Sequence, residues 1–314
     1  TEASELVEKI LDNMDDYVED KDYKIVENFY MKLKSTPILL ENVLEKFSDI
    51  KGTTCQKTLS KGFVESTKDI DYDYVIVDEV ARANSLDLLI PIIKGKKIIL
   101  VGDHKQLPPL INTEIDRVLR NDEEIEEGLV DKYIKESLFG RLFEEVPYSR
   151  KMMLNTQYRM NKQIGNLISE LFYNGELKTG IDIKNDFEFY KNQSLVYIDV
   201  KGNQLKTESA SYKNIQECEA IIQKLEELNS CLEEYKEKVS VGIISFYKAQ
   251  VQLLQKEIIN TRFENLDIQV GTVDSFQGLE KDVIFLSSVR TKGIGFIANP
   301  NRLNVSASRA KKLF

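Results

Sequence analysis

Two adjacent carboxylates, Asp78 and Glu79, end the apolar run Val75-Ile76-Val77. A charge at the end of a buried strand is costly unless water, a cation or a partner group receives it. One reading is a metal ligand beside a general base; the other is a pair of solvated acids at a strand end. "GDHKQLPP" (102–109) follows the next apolar run. Its Gln106 amide both donates and accepts, which suits a group that senses a phosphate oxygen and a water together. Gly102, Pro108 and Pro109 would equally build a plain turn. In "LNTQYRM" (154–160), Tyr158 could stack on a base and Arg159 could reach a phosphate through two N–H groups, or the pair could be surface packing. "NRLNVSASRAKK" sets Arg302 and Arg309 seven residues apart, which two turns of a helix would bring to roughly one face.

These residues need elements to hold them. A strand over 74–77, a helix over about 84–93 and a strand over 97–101 make a βαβ pattern, hence a parallel sheet covered on both faces. The right-handed crossover places Asp78, Glu79 and "GDHKQLPP" at the carboxyl ends of strands, where open α/β sheets bind ligands. A second α/β unit is expected over 151–314. Its strands would be 195–200, 239–245, 268–273 and 283–288, and its helices would lie near 214–228 and 247–260. "VGTVDSFQGLEKDVIF" (270–285) runs there from strand through a polar, glycine-containing loop to strand. Residues 1–50 have helical apolar spacing broken at Pro37 and read as a helical appendage of the first domain. Residues 111–150 are acidic and mostly helical, a connector or lid.

Composition narrows the class. With 42% hydrophobic and 30% charged residues the chain is globular in type, and no apolar run nears the roughly 20 residues a bilayer span needs. No membrane partner is expected. Forty-three basic against 52 acidic side chains give a net charge of −9, which excludes a broad basic nucleic-acid surface but not a narrow channel of amides and hydroxyls. The three cysteines have neither zinc nor disulfide spacing, so a reducing cytoplasm is the expected setting.

Taken in order, "DEVA", "GDHKQLPP", "QYRM", "VDSFQGLEKDVI" and "RLNVSASRAKK" resemble motifs II to VI of superfamily 1 helicases. The likeness is nearest to the branch of the up-frameshift RNA helicase, senataxin and the immunoglobulin mu-binding helicase. The repair and replication branch lacks the "QLPP" ending. "GTTCQ" (52–56) is similar to the family's strand-contacting segment upstream of motif II. The resemblance covers about residues 51–314, apart from 111–135.

It implies an α/β protein of two RecA-like domains with parallel sheets and helical insertions. The first domain, 51–110, is incomplete; the second is 151–314. It further implies an ATP- and Mg²⁺-dependent helicase or translocase on single-stranded DNA or RNA, moving 5′ to 3′. Asp78 would hold Mg²⁺ and belong to the nucleotide site, Glu79 would polarise the attacking water, and Gln106 would sense the γ-phosphate. Arg159 and Arg309 match the arginine fingers, Tyr158 the adenine stack, Glu280 the ribose contact and Gly278 the nucleotide loop. Thr53, Thr54, Thr272 and Ser275 match contacts to a strand backbone, which fix position without reading sequence.

One departure stands against these agreements. The family's phosphate loop, G-x-x-x-x-G-K-[ST], occurs nowhere in the 314 residues; "KGKK" (94–97) has neither its spacing nor its hydroxyl. In this family it lies upstream of "GTTCQ". The chain opens at Thr1 without methionine and stops in "SRAKKLF", where another strand is starting. It therefore reads as a motor fragment cut at both ends, inactive by itself. The alternative is a non-hydrolysing nucleic-acid-binding module with a degenerate helicase fold. A dinucleotide enzyme would need G-x-G-x-x-G after a first strand, and none is present.

Overall fold

A computed structural model of the chain describes residues 48–68, 70–109, 137–181, 183–232 and 238–314, with isolated helical positions at 25, 27, 28, 31 and 35. Most of the expected 1–50 appendage and of the 111–150 connector lies outside the described residues. The chain divides into two compact units, Thr1–Val77 with Leu86–Ile99, and Asp78–Ser85 with Leu100–Phe314. The loops that carry "DEVA" and "GDHKQLPP" thus belong to the second unit.

In the first unit, helix α1 (Lys61–Ser66) starts at Ser60, whose hydroxyl accepts from the Phe63 amide at 3.4 Å. Strand β1 (Tyr72–Val77), helix α2 (Ser85–Ile92) and strand β2 (Gly95–Leu100) follow, with β1 and β2 hydrogen-bonded side by side. A Cβ at Gly95 would lie 2.7 Å from Val75 Cγ2, so only glycine lets β2 begin there.

The second unit contains α3 (Leu138–Glu145), β3 (Thr156–Gln157), α4 (Lys162–Phe172), β4 (Lys178–Thr179), β5 (Leu205–Lys206) and β6 (Tyr212–Lys213). Then come α5 (Ile215–Cys231), β7 (Val239–Ser245), α6 (Lys248–Asn260), β8 (Leu266–Thr272), β9 (Lys281–Ser287), α7 (Pro300–Ala307) and β10 (Ala310–Leu313). Its sheet has the order β10-β9-β7-β8, all parallel. Side chains alternate along β7. Val239, Val241 and Ile243 pack with α5 and α6, whereas Ile244 packs with Ile164 and Ile168 of α4 and Val305 of α7. The sheet is therefore covered on both faces, as its near-continuous apolar strands require. Helix α5 buries Cys218, Ile221, Leu225 and Leu228 at three- and four-residue spacing; each fully buried leucine contributes about 1.5–3 kcal/mol.

From β8 the chain reaches β9 on the far side of β7, crossing that strand's face through 273–280. Val273 and Phe276 are fully buried, and a Cβ at Gly242 of β7 would meet Phe276 Cε1 at 2.7 Å. Gly242 is what allows so short a crossover.

The strand expected over 195–200 does not form. Val196 N donates to Phe314 O and Phe314 N to Ser194 O, both at 2.9 Å, so the segment brackets one residue rather than laddering. Leu195 and Val196 pack against the core, but Tyr197 is 90% exposed and the segment does not continue as a strand. The other expected strands and helices of this unit are present, and β10 is the strand that "SRAKKLF" foreshadows.

Candidate functional site

Within the second unit, Asp78 and Glu79 lie exposed in the loop directly after β1. Asp78 Oδ1 accepts from the Glu79 amide at 2.8 Å, and Glu79 has left-handed backbone angles, φ 52 and ψ 33. That conformation is uncommon for a residue with a side chain. Val80 N donates to Val101 O at 3.0 Å, and a Cβ at Gly102 would lie 2.9 Å from Val80 Cγ1. Glycine at 102 therefore lets the "GDHKQLPP" loop lie against "DEVA". Across from them, Gln277 Nε2 donates to Glu79 Oε2 at 3.3 Å.

Arg309 is 2% exposed and its donors are spread over four acceptors. Nε reaches Val305 O (3.2 Å), Nη1 reaches Leu279 O (3.3 Å), and Nη2 reaches Gln106 Oε1 (3.4 Å) and Ser308 Oγ (3.0 Å). Burial, and next the like charge of Arg159, push its pKa down to about 10; Glu79 opposes the shift. It stays cationic at neutral pH. Arg159 joins the same cluster: Nη1 meets Ser308 O at 3.5 Å, and Nε pairs with Glu280 Oε2 at 2.8 Å. Two guanidiniums held beside one another repel, and a polyanion between them would relieve that repulsion.

Glu280 is also paired with Lys311 at 2.8 Å, and Lys311 and Arg159 together hold its carboxyl below the usual carboxylate range. Tyr158, Arg159, Ile183, Glu280 and Lys311 line a cavity of about 370 Å³. Tyr158 is 67% exposed, with its ring over Gly180, where a Cβ would lie 2.4 Å from Cε1. An open aromatic face beside two cations suits a base and phosphates. Gly278, with φ +79, makes the turn that presents Leu279 O to Arg309 and Glu280 to Arg159.

No three His, Cys, Asp or Glu side chains converge as a metal cage among the described residues. Mg²⁺ needs none: it keeps several waters and takes one or two carboxylates plus phosphate oxygens. Asp78 and Glu79, exposed and adjacent, fit that donor set.

Thr272 ends β8, and Ser275 Oγ donates to its carbonyl at 2.7 Å. Thr53 is exposed, and Thr54 Oγ1 accepts from Lys57 N at 3.3 Å; these two belong to the first unit. The shared helical face expected for Arg302 and Arg309 does not exist. Helix α7 stops at Ala307, and the chain turns at Ser308 toward β10 before Arg309. Arg302 instead pairs with Asp274 at 3.6 Å and lies over the Phe296 ring.

Several participants escaped the sequence reading. Gln277 and Lys311 sat inside quoted motifs without a role. Asn301 and Asn304, three apart on α7, donate to the carbonyls of His104 (3.1 Å), Gln106 and Lys105 (2.9 Å). Their spacing in "NRLN" is the one signal that could have found them.

Comparison with known proteins places this geometry in a class. Residues 134–314 match a family model described as an AAA domain, and residues 5–114 match a second AAA-domain model. An uncharacterized ATP-dependent helicase of Methanocaldococcus jannaschii is 36% identical over 79% of this chain and 36% of its own length. Probable helicase senataxin of Homo sapiens is 31% identical over 77% of this chain and 9% of its own. The mouse protein named 5′-3′ DNA helicase ZGRF1 is 29% identical over 90% of this chain and 14% of its own. The chain belongs to the superfamily 1 helicases, in the branch of the up-frameshift helicase and senataxin. It spans about a third or less of the length of these relatives.

Proposed function

We propose that the chain is part of the motor of an ATP-driven helicase or translocase that moves 5′ to 3′ on single-stranded nucleic acid. Its RecA-like domains would be 51–110 and 151–314. The observation that carries the reading is the arginine cluster: Arg309 on Gln106 and Arg159 on Glu280, with Glu79 held by Gln277 alongside. In this reading Glu79 takes a hydrogen bond from the attacking water and Gln106 meets the γ-phosphate. Arg159 and Arg309 meet the charge on the transferred group. A finger of this kind is worth roughly 10³–10⁵ in rate, or about 4–7 kcal/mol of barrier. Tyr158 stacks on adenine, Glu280 meets the ribose and Gly278 shapes the loop. Mg²⁺ on Asp78 would neutralise phosphate charge. Thr53, Thr54, Thr272 and Ser275 bear on the strand backbone. The mouse relative's name supports the polarity, and three free cysteines agree with a reducing cytoplasm. Among the described residues no helix is long and apolar enough to cross a membrane.

The test is ATP turnover by the full-length protein, with and without single-stranded DNA and RNA of several sequences. Strand-stimulated turnover that Glu79→Gln reduces by orders of magnitude, with nucleotide binding kept, supports the motor. Whichever nucleic acid stimulates names the substrate. The salt dependence of strand binding should be shallow, because few phosphates meet Lys or Arg. Residues 1–314 alone should stay at background for want of G-x-x-x-x-G-K-[ST]. Strand binding without turnover in the full-length protein would instead favour the non-hydrolysing module.

A further inference from the structure

Tyr173 caps the C-terminal end of α4, directly after its last turn, and no motif includes it. Its ring packs against the core of the second unit, while its hydroxyl sits between Asp103 and Asn304. The hydrogens of this cluster are fixed by elimination. Asn304 Nδ2 donates to Lys105 O and to Tyr173 Oη, each at 2.9 Å. The tyrosine oxygen is thus an acceptor from Asn304, and its own hydrogen goes to Asp103 Oδ2. An ionised carboxylate only accepts, so Asp103 Oδ2 also takes Gln106 Nε2 at 2.8 Å. With its nitrogen committed there, the Gln106 amide presents Oε1 to Arg309 Nη2 at 3.4 Å. Turned over, the amide would set an NH₂ group against a guanidinium, donor against donor.

We infer that Tyr173 is a positioning residue for Gln106: by holding Asp103 it fixes which end of the amide faces Arg309, and so sets turnover without touching nucleotide. The inference rests on the helicase reading above. Burial, then the neighbouring Asp103 charge, raise the Tyr173 pKa, so its hydroxyl remains a donor at every working pH. Asn301 holds the His104 and Gln106 carbonyls independently, so losing the hydroxyl frees the carboxylate and the amide before it frees the backbone.

The experiment is Tyr173→Phe in the full-length protein, alone and combined with Gln106→Ala. The ring is kept, so the melting temperature should hold. A lost hydrogen bond to a charged group should lower kcat by about tenfold or more, with KM for ATP within about twofold. In the Gln106→Ala background the same substitution should change kcat by less than about twofold, because the two act as one unit. Hydrogen exchange gives a readout independent of turnover: the Lys105 amide, which donates to Asp103 Oδ1 at 2.9 Å, should exchange faster, with 239–245 unchanged. An unchanged kcat, a full additive loss on Gln106→Ala, or unchanged exchange at Lys105 overturns the inference. A wild-type protein without turnover would sink the helicase reading by itself; the exchange result would still decide whether Tyr173 holds the loop.

Discussion

Replacing Gly180 by alanine should weaken nucleotide binding without slowing the chemistry. The added Cβ would lie 2.4 Å from Tyr158 Cε1, 2.8 Å from its Cζ and 2.8 Å from Thr156 Cγ2. Carbon atoms rest at about 3.5–4.0 Å, so the ring must retreat by about 1 Å or more. Tyr158 is 67% exposed and can swing into solvent, so the cost to stability should stay near the ±0.5 kcal/mol or so typical of surface changes. The backbone bond from Gly180 N to Gln157 O, 2.9 Å, needs no change. What is lost is the ring's place over the cavity. An aromatic stack is worth about 0.5–1.5 kcal/mol, which is roughly a 2- to 12-fold rise in Kd for ATP. A fluorescent-nucleotide titration of the full-length protein measures it, with kcat at saturating ATP as the control. An unchanged Kd at an unchanged melting temperature would refute the stacking role of Tyr158. A large fall in melting temperature would show that the β3–β4 backbone had yielded instead of the ring.

Arg309→Lys keeps the charge but not the fork: one ammonium cannot serve Val305 O, Leu279 O, Gln106 Oε1 and Ser308 Oγ from a single atom. Steady-state kinetics of the full-length protein should show kcat reduced by about a hundredfold or more; near-wild-type turnover would remove Arg309 from the chemistry. Glu280→Gln should lower the melting temperature at neutral pH and low salt. The Glu280 carboxyl is depressed in the folded state, so its contribution is present above the ordinary carboxylate pKa and is lost as pH falls through the lower, folded value. The gap between wild type and variant should therefore begin to narrow below about pH 4 and vanish once pH falls below the depressed, folded value. A gap that persists there would mean that packing, not the pairs with Lys311 and Arg159, was lost.

The sequence was most legible where chemistry and periodicity coincide. Val239–Ser245 is a mostly apolar, β-branched run interrupted at Ser240, and its strand, with helix α6 after it, falls where the pattern sets it. Leu195–Val200 carries a similarly apolar pattern, yet pairing is a property of the neighbour, and among the described residues its backbone pairs with Phe314. Seven-residue spacing misled at Arg302 and Arg309 because it presumes a continuous helix, and Ser308 ends that helix between them. Glu79, Gln106, Arg159 and Arg309 could be read as motif members, since a charged or amide group at a strand end is visible in one dimension. Tyr173 and Asn304 could not. Tyr173 meets Asp103, 70 residues away in the chain, and Asn304 meets Lys105, 199 residues away, proximities that only the packed α4 and α7 create.

The left-handed backbone of Glu79 sets durability against work at one position. Glycine or asparagine would relax there, and a side chain such as glutamate gives up roughly 1–2 kcal/mol to stay. Selection for heat resistance alone would drift toward those relaxed residues and discard the carboxylate to which we assign, as a proposal, the activation of water. On the proposed function the strain at residue 79 is thus a mark of use: the fold keeps it only so long as turnover, rather than longevity, decides which sequences persist.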